Sequence, residues 1–343
     1  MLKTIAVQKF RNHESFSCSL QKQTLVVGSN AVGKTNLLES IYVGLTGSGF
    51  RGNDKDLINF ESSWGRVDLQ ADRQKTVKLE VNSTGKIIKT LEVDSVKRTP
   101  RDFCKNDAVV LFEPNELRML TGPPELRRAW MDNLISKIEP KYSDSLARYK
   151  RALAQRNSLL KRNANDDQFF VWELKMGEYG EQLVNQRMAL ASKANKSLPR
   201  LYSGISNKDD LVEIVYRIPS ETYASWLVGK LALSRERDKL IGFTPNGPHR
   251  DDFDIFRNGA SINSTGSRGE LRSMVLSMKF YELELIEKAR SIKPVLLLDD
   301  VFSELDENRR VALLNVTANY QSIFTSTDKP AAFVNDVDII KLT

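Results

Sequence analysis

The run Gly28-Ser29-Asn30-Ala31-Val32-Gly33-Lys34-Thr35 fits G-x-x-x-x-G-K-[ST], the pattern of a phosphate-binding loop. Gln23-Thr24-Leu25-Val26-Val27 before it reads as a short buried strand, and the residues from Thr35 to Tyr42 read as a helix. In that order the glycines bend the backbone so that its N–H groups and the helix N-terminus face a triphosphate. The candidate nucleotide-binding residues are therefore Gly28, Asn30, Gly33, Lys34, Thr35 and Asn36. Lys34 would reach the β- and γ-phosphates and act in catalysis, and the Thr35 hydroxyl would sit on Mg²⁺. A loop of this kind says that a nucleotide binds, not what the binding is for.

A second acidic motif completes such a site. Val295-Leu296-Leu297-Leu298-Asp299-Asp300 is an apolar strand ending in two carboxylates. Asp299, at the strand's C-terminal edge, can hold Mg²⁺ through water opposite Thr35. Asp300 follows, where an ATPase needs a carboxylate to orient the attacking water, and is the candidate catalytic residue. About 265 residues separate Lys34 from Asp299, too many for a small kinase or GTPase core. The spacing calls for a nucleotide-binding head with a large insertion.

The intervening sequence has that character. Gly122-Pro123-Pro124 ends a region of short strands and opens a helical stretch. Tyr142, Leu146, Tyr149, Leu153 and Leu160 form one apolar stripe. Trp172, Met176, Tyr179, Leu183, Leu190 and Ala194 form another, beyond the polar link from Lys161 to Gln168. Two stripes at alternating threes and fours predict an antiparallel helical hairpin. Strands return at Leu211–Tyr216 and Asp252–Phe256, and a long helix runs from Glu270 to about Lys288.

Bulk composition narrows the class. A chain of 343 residues with 41% hydrophobic residues has room for a main domain and a second lobe. Its net charge of +7 favours a polyanionic partner. Two cysteines and two histidines make a disulfide framework or a His/Cys metal centre untenable. No apolar run approaches membrane-spanning length and the start lacks a secretory core, so the expected compartment is the cytoplasm.

Five further segments carry a resemblance. Ser267-Arg268-Gly269-Glu270, at the start of the long helix, resembles the signature motif of ABC-type ATPases, and Ser303-Glu304-Leu305-Asp306 resembles their D-loop. With Phe10-Arg11-Asn12, the stretch from Gly122 to Arg128 and Gly247-Pro248-His249-Arg250-Asp251-Asp252, the set is similar end to end to the RecF family of bacterial DNA replication and repair proteins. The resemblance implies an α/β fold: an ABC/SMC-like P-loop ATPase head with an inserted short antiparallel helical arm. Residues 1–115 and 206–343 would form the head, and 116–205 the arm.

It also implies ATP and Mg²⁺ as cofactors and an ATP-dependent homodimer. Each nucleotide would lie between one subunit's phosphate loop and Ser267 and Gly269 of the other, with Arg11 reaching it as in SMC heads. The family's role implies binding to double-stranded DNA with single-stranded gaps, slow DNA-dependent hydrolysis, and work with RecR and RecO in loading recombinase near the nucleoid. Arg127, Arg128, Arg148, Lys150, Arg151, Arg156, Lys161, Arg162, Lys193, Lys196 and Arg200 would offer charge to a duplex, with the fixing of the arm's base against acidic neighbours as the alternative for Arg127 and Arg128. The departures are Gly266, Arg268 and Glu270 within the signature, and Asp300 where such ATPases usually carry Glu. Two readings of other classes are a small-molecule P-loop kinase with an inserted lid and an interaction platform whose ATP is never hydrolysed.

Overall fold

Strand β1 (Thr4–Phe10) turns tightly into β2 (His13–Ser19), and β3 (Gln23–Val27) leads through the phosphate loop into helix α1 (Lys34–Thr46). This is a computed structural model, and it describes residues 1–328 and 337–342, with Asn115 and Glu304 as backbone alone. Next come β4 (Trp64–Gln70), β5 (Gln74–Val81), β6 (Ile87–Val93), β7 (Val96–Lys97), the short α2 (Pro100–Phe103) and β8 (Val109–Phe112). Six of these strands form an antiparallel sheet in the order β2-β1-β4-β5-β6-β7. Ile5, Val7, Val67, Leu69, Val77, Leu79, Leu91 and Val93 recur at every second position and are all buried. Asn82 to Gly85 makes a hairpin turn, with the Asn82 side chain accepting from the Thr84 and Lys86 N–H groups.

The chain then builds its second compact unit, Leu117–Tyr281. It contains α3 (Leu117–Thr121), α4 (Pro124–Ile138), α5 (Pro140–Lys161), α6 (Phe170–Ser206), β9 (Val212–Tyr216), α7 (Tyr223–Leu233), α8 (Arg235–Ile241), β10 (Phe253–Arg257), β11 (Ala260–Ser261), α9 (Ile262–Thr265) and the start of α10 (Arg268–Arg290). The predicted hairpin is α5 and α6, 22 and 37 residues long. At 1.5 Å per residue they span about 33 Å and about 55 Å. Two glycines on α6 admit α7: a Cβ at Gly177 would stand 2.7 Å from Val228 and 3.0 Å from the Ala224 carbonyl. Near its other end α6 holds β9 through Asn195, whose amide donates to the Ile214 carbonyl and accepts from its N–H.

These contacts group residues 206–281 with the helices, although the sequence reading returns to the head at 206. The head unit is Met1–Glu116 with Glu282–Thr343. Its later part supplies β12 (Val295–Leu298), α11 (Glu307–Thr317), β13 (Ser322–Ser326) and β14 (Asp338–Lys341). They complete a five-stranded parallel sheet in the order β14-β3-β13-β12-β8. Leu296, Leu297, Leu298, Ile323 and Phe324 are fully buried, as the continuous apolar run at 295–298 demands. Ser326 pairs with Val27 and Leu298 with Phe324, so β3, β12 and β13 end at one edge.

The helical unit is more polar inside than two apolar stripes foretell. Arg156 has no exposed side-chain surface and bonds Glu173 (3.1 Å), Asp238 (2.8 Å), the Thr244 hydroxyl and the Leu231 carbonyl. Arg187, likewise buried, grips Asp132 and donates to the Pro248 carbonyl at 2.7 Å. Arg156 is thus corrected from a candidate DNA contact to a core cation. Removing it would leave the buried Asp238 without a cation and Glu173 with Arg235 alone, so Arg156→Ala should destabilise this unit by about 3–5 kcal/mol. Urea unfolding followed by circular dichroism checks it; a loss under about 1 kcal/mol would show the network to be marginal.

Candidate functional site

The phosphate loop is held from both sides. Ala31 and Gly33 take positive φ, 69° and 109°, to turn the chain into α1. Gly33 has no room for a side chain, since a Cβ there would stand 2.7 Å from the Asn12 amide oxygen and 2.8 Å from His13. A Cβ at Gly28 would stand 2.7 Å from the Leu342 carbonyl. Asn12 donates to the Val32 carbonyl and accepts from Asn36 at 2.7 Å. His13 is buried, and its Nε2 lies 3.1 Å from the Gly33 carbonyl, which can only accept, so Nε2 carries the proton. Burial holds the His13 imidazole below its ordinary pKa, against the raising effect of that bond.

Lys34 is buried and folds back over the loop, donating from Nζ to the Gly28 and Ser29 carbonyls at 2.7 and 2.8 Å. Thr35 donates from its hydroxyl to Asp299 Oδ1 at 2.9 Å across 264 residues of sequence. The same oxygen accepts from the Thr325 hydroxyl at 2.7 Å, and Thr325 accepts from the Asp300 N–H. Asp300 sits in the left-handed region, φ 45°, which aspartate tolerates better than most side chains. Asn30 is exposed at the loop's crest. The parallel sheet has joined the two motifs, with an ammonium, a hydroxyl and a carboxylate around one glycine loop. These are hard oxygen donors and a phosphate cradle, so the residues fit Mg²⁺ and a triphosphate.

Arg11 stands at φ 51° in the β1–β2 turn, and its guanidinium lies 2.8 Å from Glu39, whose carboxylate is fully buried. Glu39 also accepts from the Arg51 backbone N–H and its guanidinium. Arg51 donates in turn to Asn36 at 2.9 Å. Two arginines thus converge on one buried carboxylate beside α1. Sequence reasoning singled out Arg11 and missed Glu39, Arg51, His13 and Thr325. The signal for Glu39 was an acidic residue between Leu38 and Ile41, on the helix face that must be buried.

Ser267 and Gly269 belong to the other unit. Ser267 precedes α10, and its N–H and hydroxyl both donate to Glu270, at 2.9 and 3.0 Å. Glu270 N–H points back at the Ser267 oxygen at 3.4 Å, making a reciprocal cap. That backbone bond, helped by Arg257 and against some burial, holds the Glu270 carboxyl at about 2. Gly269 lies in the first turn. The D-loop segment forms a short turn from Val301 to Glu304, and Asp306 caps α11 by accepting from the Arg309 N–H.

The segment from Gly247 to Asp252 is a packed structural loop. Arg127 forms a bidentate pair with Asp252 and donates to the Leu120 and Gly122 carbonyls, and Arg128 donates to the Asp251 carbonyl. Of the two readings of Arg127, a DNA contact or a residue that fixes the base of the arm against an acidic neighbour, this geometry is the second. Arg148, Lys150, Arg151, Lys161, Arg162, Lys193, Lys196 and Arg200 are exposed.

A phosphate loop and an acidic strand end joined by a parallel sheet, with the chain between them building a helical unit, define an ABC-type ATPase head of the SMC kind. Solved SMC heads share the fold, that of Pyrococcus furiosus at TM-score 0.55 and 15% identity over 99% of this chain and 92% of that one. The AAA ATPase domain family model matches residues 1–296. Relatives described as DNA replication and repair protein RecF match along the chain. That of Clostridium acetobutylicum is 32% identical over 99% of this chain and 97% of its own, and that of Bacillus cytotoxicus 33% over 94% and 90%. The solved recombination mediator protein RecF with ATP superposes at TM-score 0.87 with 31% identity, over 99% of this chain and 95% of that one. The chain belongs to the RecF family.

His249 supplies a pH test of the packed loop. The Tyr149 hydroxyl lies 2.7 Å from its Nδ1, and its Nε2–H donates to the Thr244 carbonyl. Burial pushes the imidazole from 6.5 to about 4, with Arg250, Arg128 and Arg187 also disfavouring the cation. A depressed histidine contributes its stability fully above 6.5 and loses it as the pH falls toward 4. The melting temperature of the wild type should therefore fall through that window more than that of His249→Gln. Parallel curves for the two proteins would contradict the assignment.

Proposed function

We propose that this protein is an ATP-gated, DNA-binding dimer of recombinational repair and replication-fork maintenance, with slow ATPase activity. The observation that carries the reading is the shared carboxylate oxygen of Asp299 with the Thr35 hydroxyl beneath a loop that Lys34 already occupies. Lys34 would exchange two neutral carbonyl acceptors for charged phosphate oxygens, which are stronger partners for an ammonium. Gly28 and Gly33 let the backbone approach the phosphates, while Asn30 and Asn36 flank them. Arg11, steadied by Glu39, would extend its charge toward the nucleotide. Thr35 and Asp299 would hold Mg²⁺, which when bound neutralises charge on the phosphates. Asp300 would orient the attacking water, and a carboxylate one methylene shorter than glutamate suits a timer better than a motor.

The Ser267 hydroxyl and the Gly269 backbone stand at a helix N-terminus that would meet a phosphate presented by a second copy of the chain once the Glu270 carboxylate releases Ser267. Exposed arm cations would then meet the backbone of gapped or junction DNA, with affinity falling steeply as salt rises. The family and the name of the RecFOR pathway in the solved relatives support RecO and RecR as partners in loading recombinase on single strands.

Light scattering with saturating ATP and Mg²⁺ tests the sandwich: a wild type that stays monomeric overturns it. Lys34→Ala should lose nucleotide binding, and Ser267→Arg should bind nucleotide yet remain monomeric. Asp300→Asn should dimerise with hydrolysis slowed about a hundredfold, the range expected on loss of a general base. Binding to gapped duplex measured with ATP, with ADP and without nucleotide should be tightest with ATP. Hydrolysis stimulated by a small-molecule acceptor and indifferent to DNA would point instead to a kinase.

A further inference from the structure

The end of the parallel sheet opposite the phosphate loop is built around a different chemistry. A cavity of about 870 Å³ opens there within the head unit, where Lys22 precedes β3, Ala108 precedes β8, Pro294 precedes β12 and Gln321 precedes β13. Strand β3 has five residues, so about 16 Å separates this cavity from the loop at the strand's other end. Its floor is apolar: Leu2, Val93, Phe103, Pro294 and Val295. Its rim is cationic: Lys22, Arg73, Arg98, Lys105 and Lys293, all exposed.

The rim's charge is largely uncompensated. Among the described residues Lys22, Arg98, Lys105 and Lys293 form no ion pair, and Arg73 has a single long one, 3.8 Å to Asp94. Three carboxylates also line the cavity, and two are engaged. Asp107 is bound by Lys75 at 2.7 Å, and Asp102 accepts from the Thr99 hydroxyl. The scaffold beneath is fixed. Lys75 is buried, donates to the Leu45 carbonyl and lies 3.9 Å from the centre of the Phe103 ring. Arg290 donates to the carbonyls of Cys104, Lys105 and Asp107, so the loop that carries Lys105 is held by its backbone.

An apolar floor under exposed cations, of which only Arg73 has a carboxylate partner among the described residues and Lys293 donates to the Asn319 carbonyl, asks for a ligand with an apolar body and several negative charges. A duplex, a convex rod about 20 Å across, does not enter a cavity of this volume. The apolar floor gives nothing to a bare phosphate, and among the described residues no glycine-rich turn and no N-terminus of a long helix lines the walls. We propose that this cavity is a docking site for an acidic peptide segment of a partner protein, its carboxylates on Arg98, Lys105, Lys22 and Lys293 and one apolar side chain on the half-buried Ile292 and Val295. The site does not depend on the proposed nucleotide chemistry, so the two can fail separately.

The probe is a fluorescein-labelled peptide of three aspartates followed by leucine and phenylalanine, titrated with full-length protein and read by anisotropy. Saturable binding is expected, weakened by raised salt. Arg98→Glu and Lys105→Glu should each weaken it about tenfold or more while binding fluorescent ATP as the wild type does, which reports intact folding. Lys34→Ala should bind the peptide normally. The proposal fails if the peptide does not bind, if neither charge reversal weakens it, or if its all-asparagine counterpart binds as well. Loss of peptide binding in Lys34→Ala would move the site to the phosphate loop. Displacement of the peptide by inorganic phosphate or a short oligonucleotide at equal concentration would assign the cavity to phosphate ligands and overturn the peptide reading.

Discussion

The architecture of the head turns on one carboxylate oxygen. Asp299 Oδ1 accepts from Thr35 on α1 and from Thr325 on β13, so three strands report their relative positions through a single atom. That convergence is possible because β3, β13 and β12 are parallel neighbours whose C-terminal ends coincide. A shift of one strand by a residue would carry its hydroxyl or carboxylate about 3.3 Å away and turn it to the other face. The site is therefore as precise as the apolar packing of Leu297, Ile323 and their neighbours. A long insertion between the motifs costs the site nothing, because the insertion leaves and rejoins the sheet between intact strands.

On the other side of the loop, precision comes from the β1–β2 turn. Asn12 and His13 read the backbone of Val32 and Gly33, and Gly33 is glycine because those side chains occupy the space of its Cβ. Arg11, one residue earlier, turns instead to Glu39. One turn thus fixes the loop's shape and aims an arginine, which gives the Phe10-Arg11-Asn12 segment a physical reason to recur beside a phosphate loop. A loop fixed before its ligand arrives spends little of the binding free energy on ordering itself.

What could be read from the residues was what periodicity and local motifs encode. The alternation in β4 and β5, the all-apolar run at 295–298 and the two stripes of the hairpin each announced their element and its buried face. Strand β2 was missed because His13-Glu14-Ser15-Phe16-Ser17-Cys18-Ser19 lies at a sheet edge with a largely solvated face and carries little apolar signal. Arg156 was misplaced for a related reason. An arginine on a helix looks solvated until its carboxylate partner, 82 residues away, is brought in by the fold. Glu39 and Arg51 escaped because their partnership is made by a turn, which no repeat predicts. The boundary at 206 was drawn where helix gives way to strand, whereas compactness follows α6, which binds β9 through Asn195.

The charge of +7 is therefore unevenly available. Arg127, Arg156 and Arg187 are neutralised inside the helical unit, Arg11 and Arg51 share Glu39, and Lys34 is turned onto the phosphate loop. Exposed cations on the arm helices and around the cavity of the head are among those left for partners. The signature segment shows the same economy. Glutamate in place of the motif's glutamine gives Ser267 an acceptor within its own chain and places a carboxylate, pinned by Arg257, at the very helix end that would meet an anion. In the proposed sandwich that carboxylate opposes the γ-phosphate, so the head pair would gain less from each nucleotide than a neutral signature allows. Weak gain per site makes association depend on both nucleotides being present. That is the behaviour required of a clamp that must close on ATP and open without it.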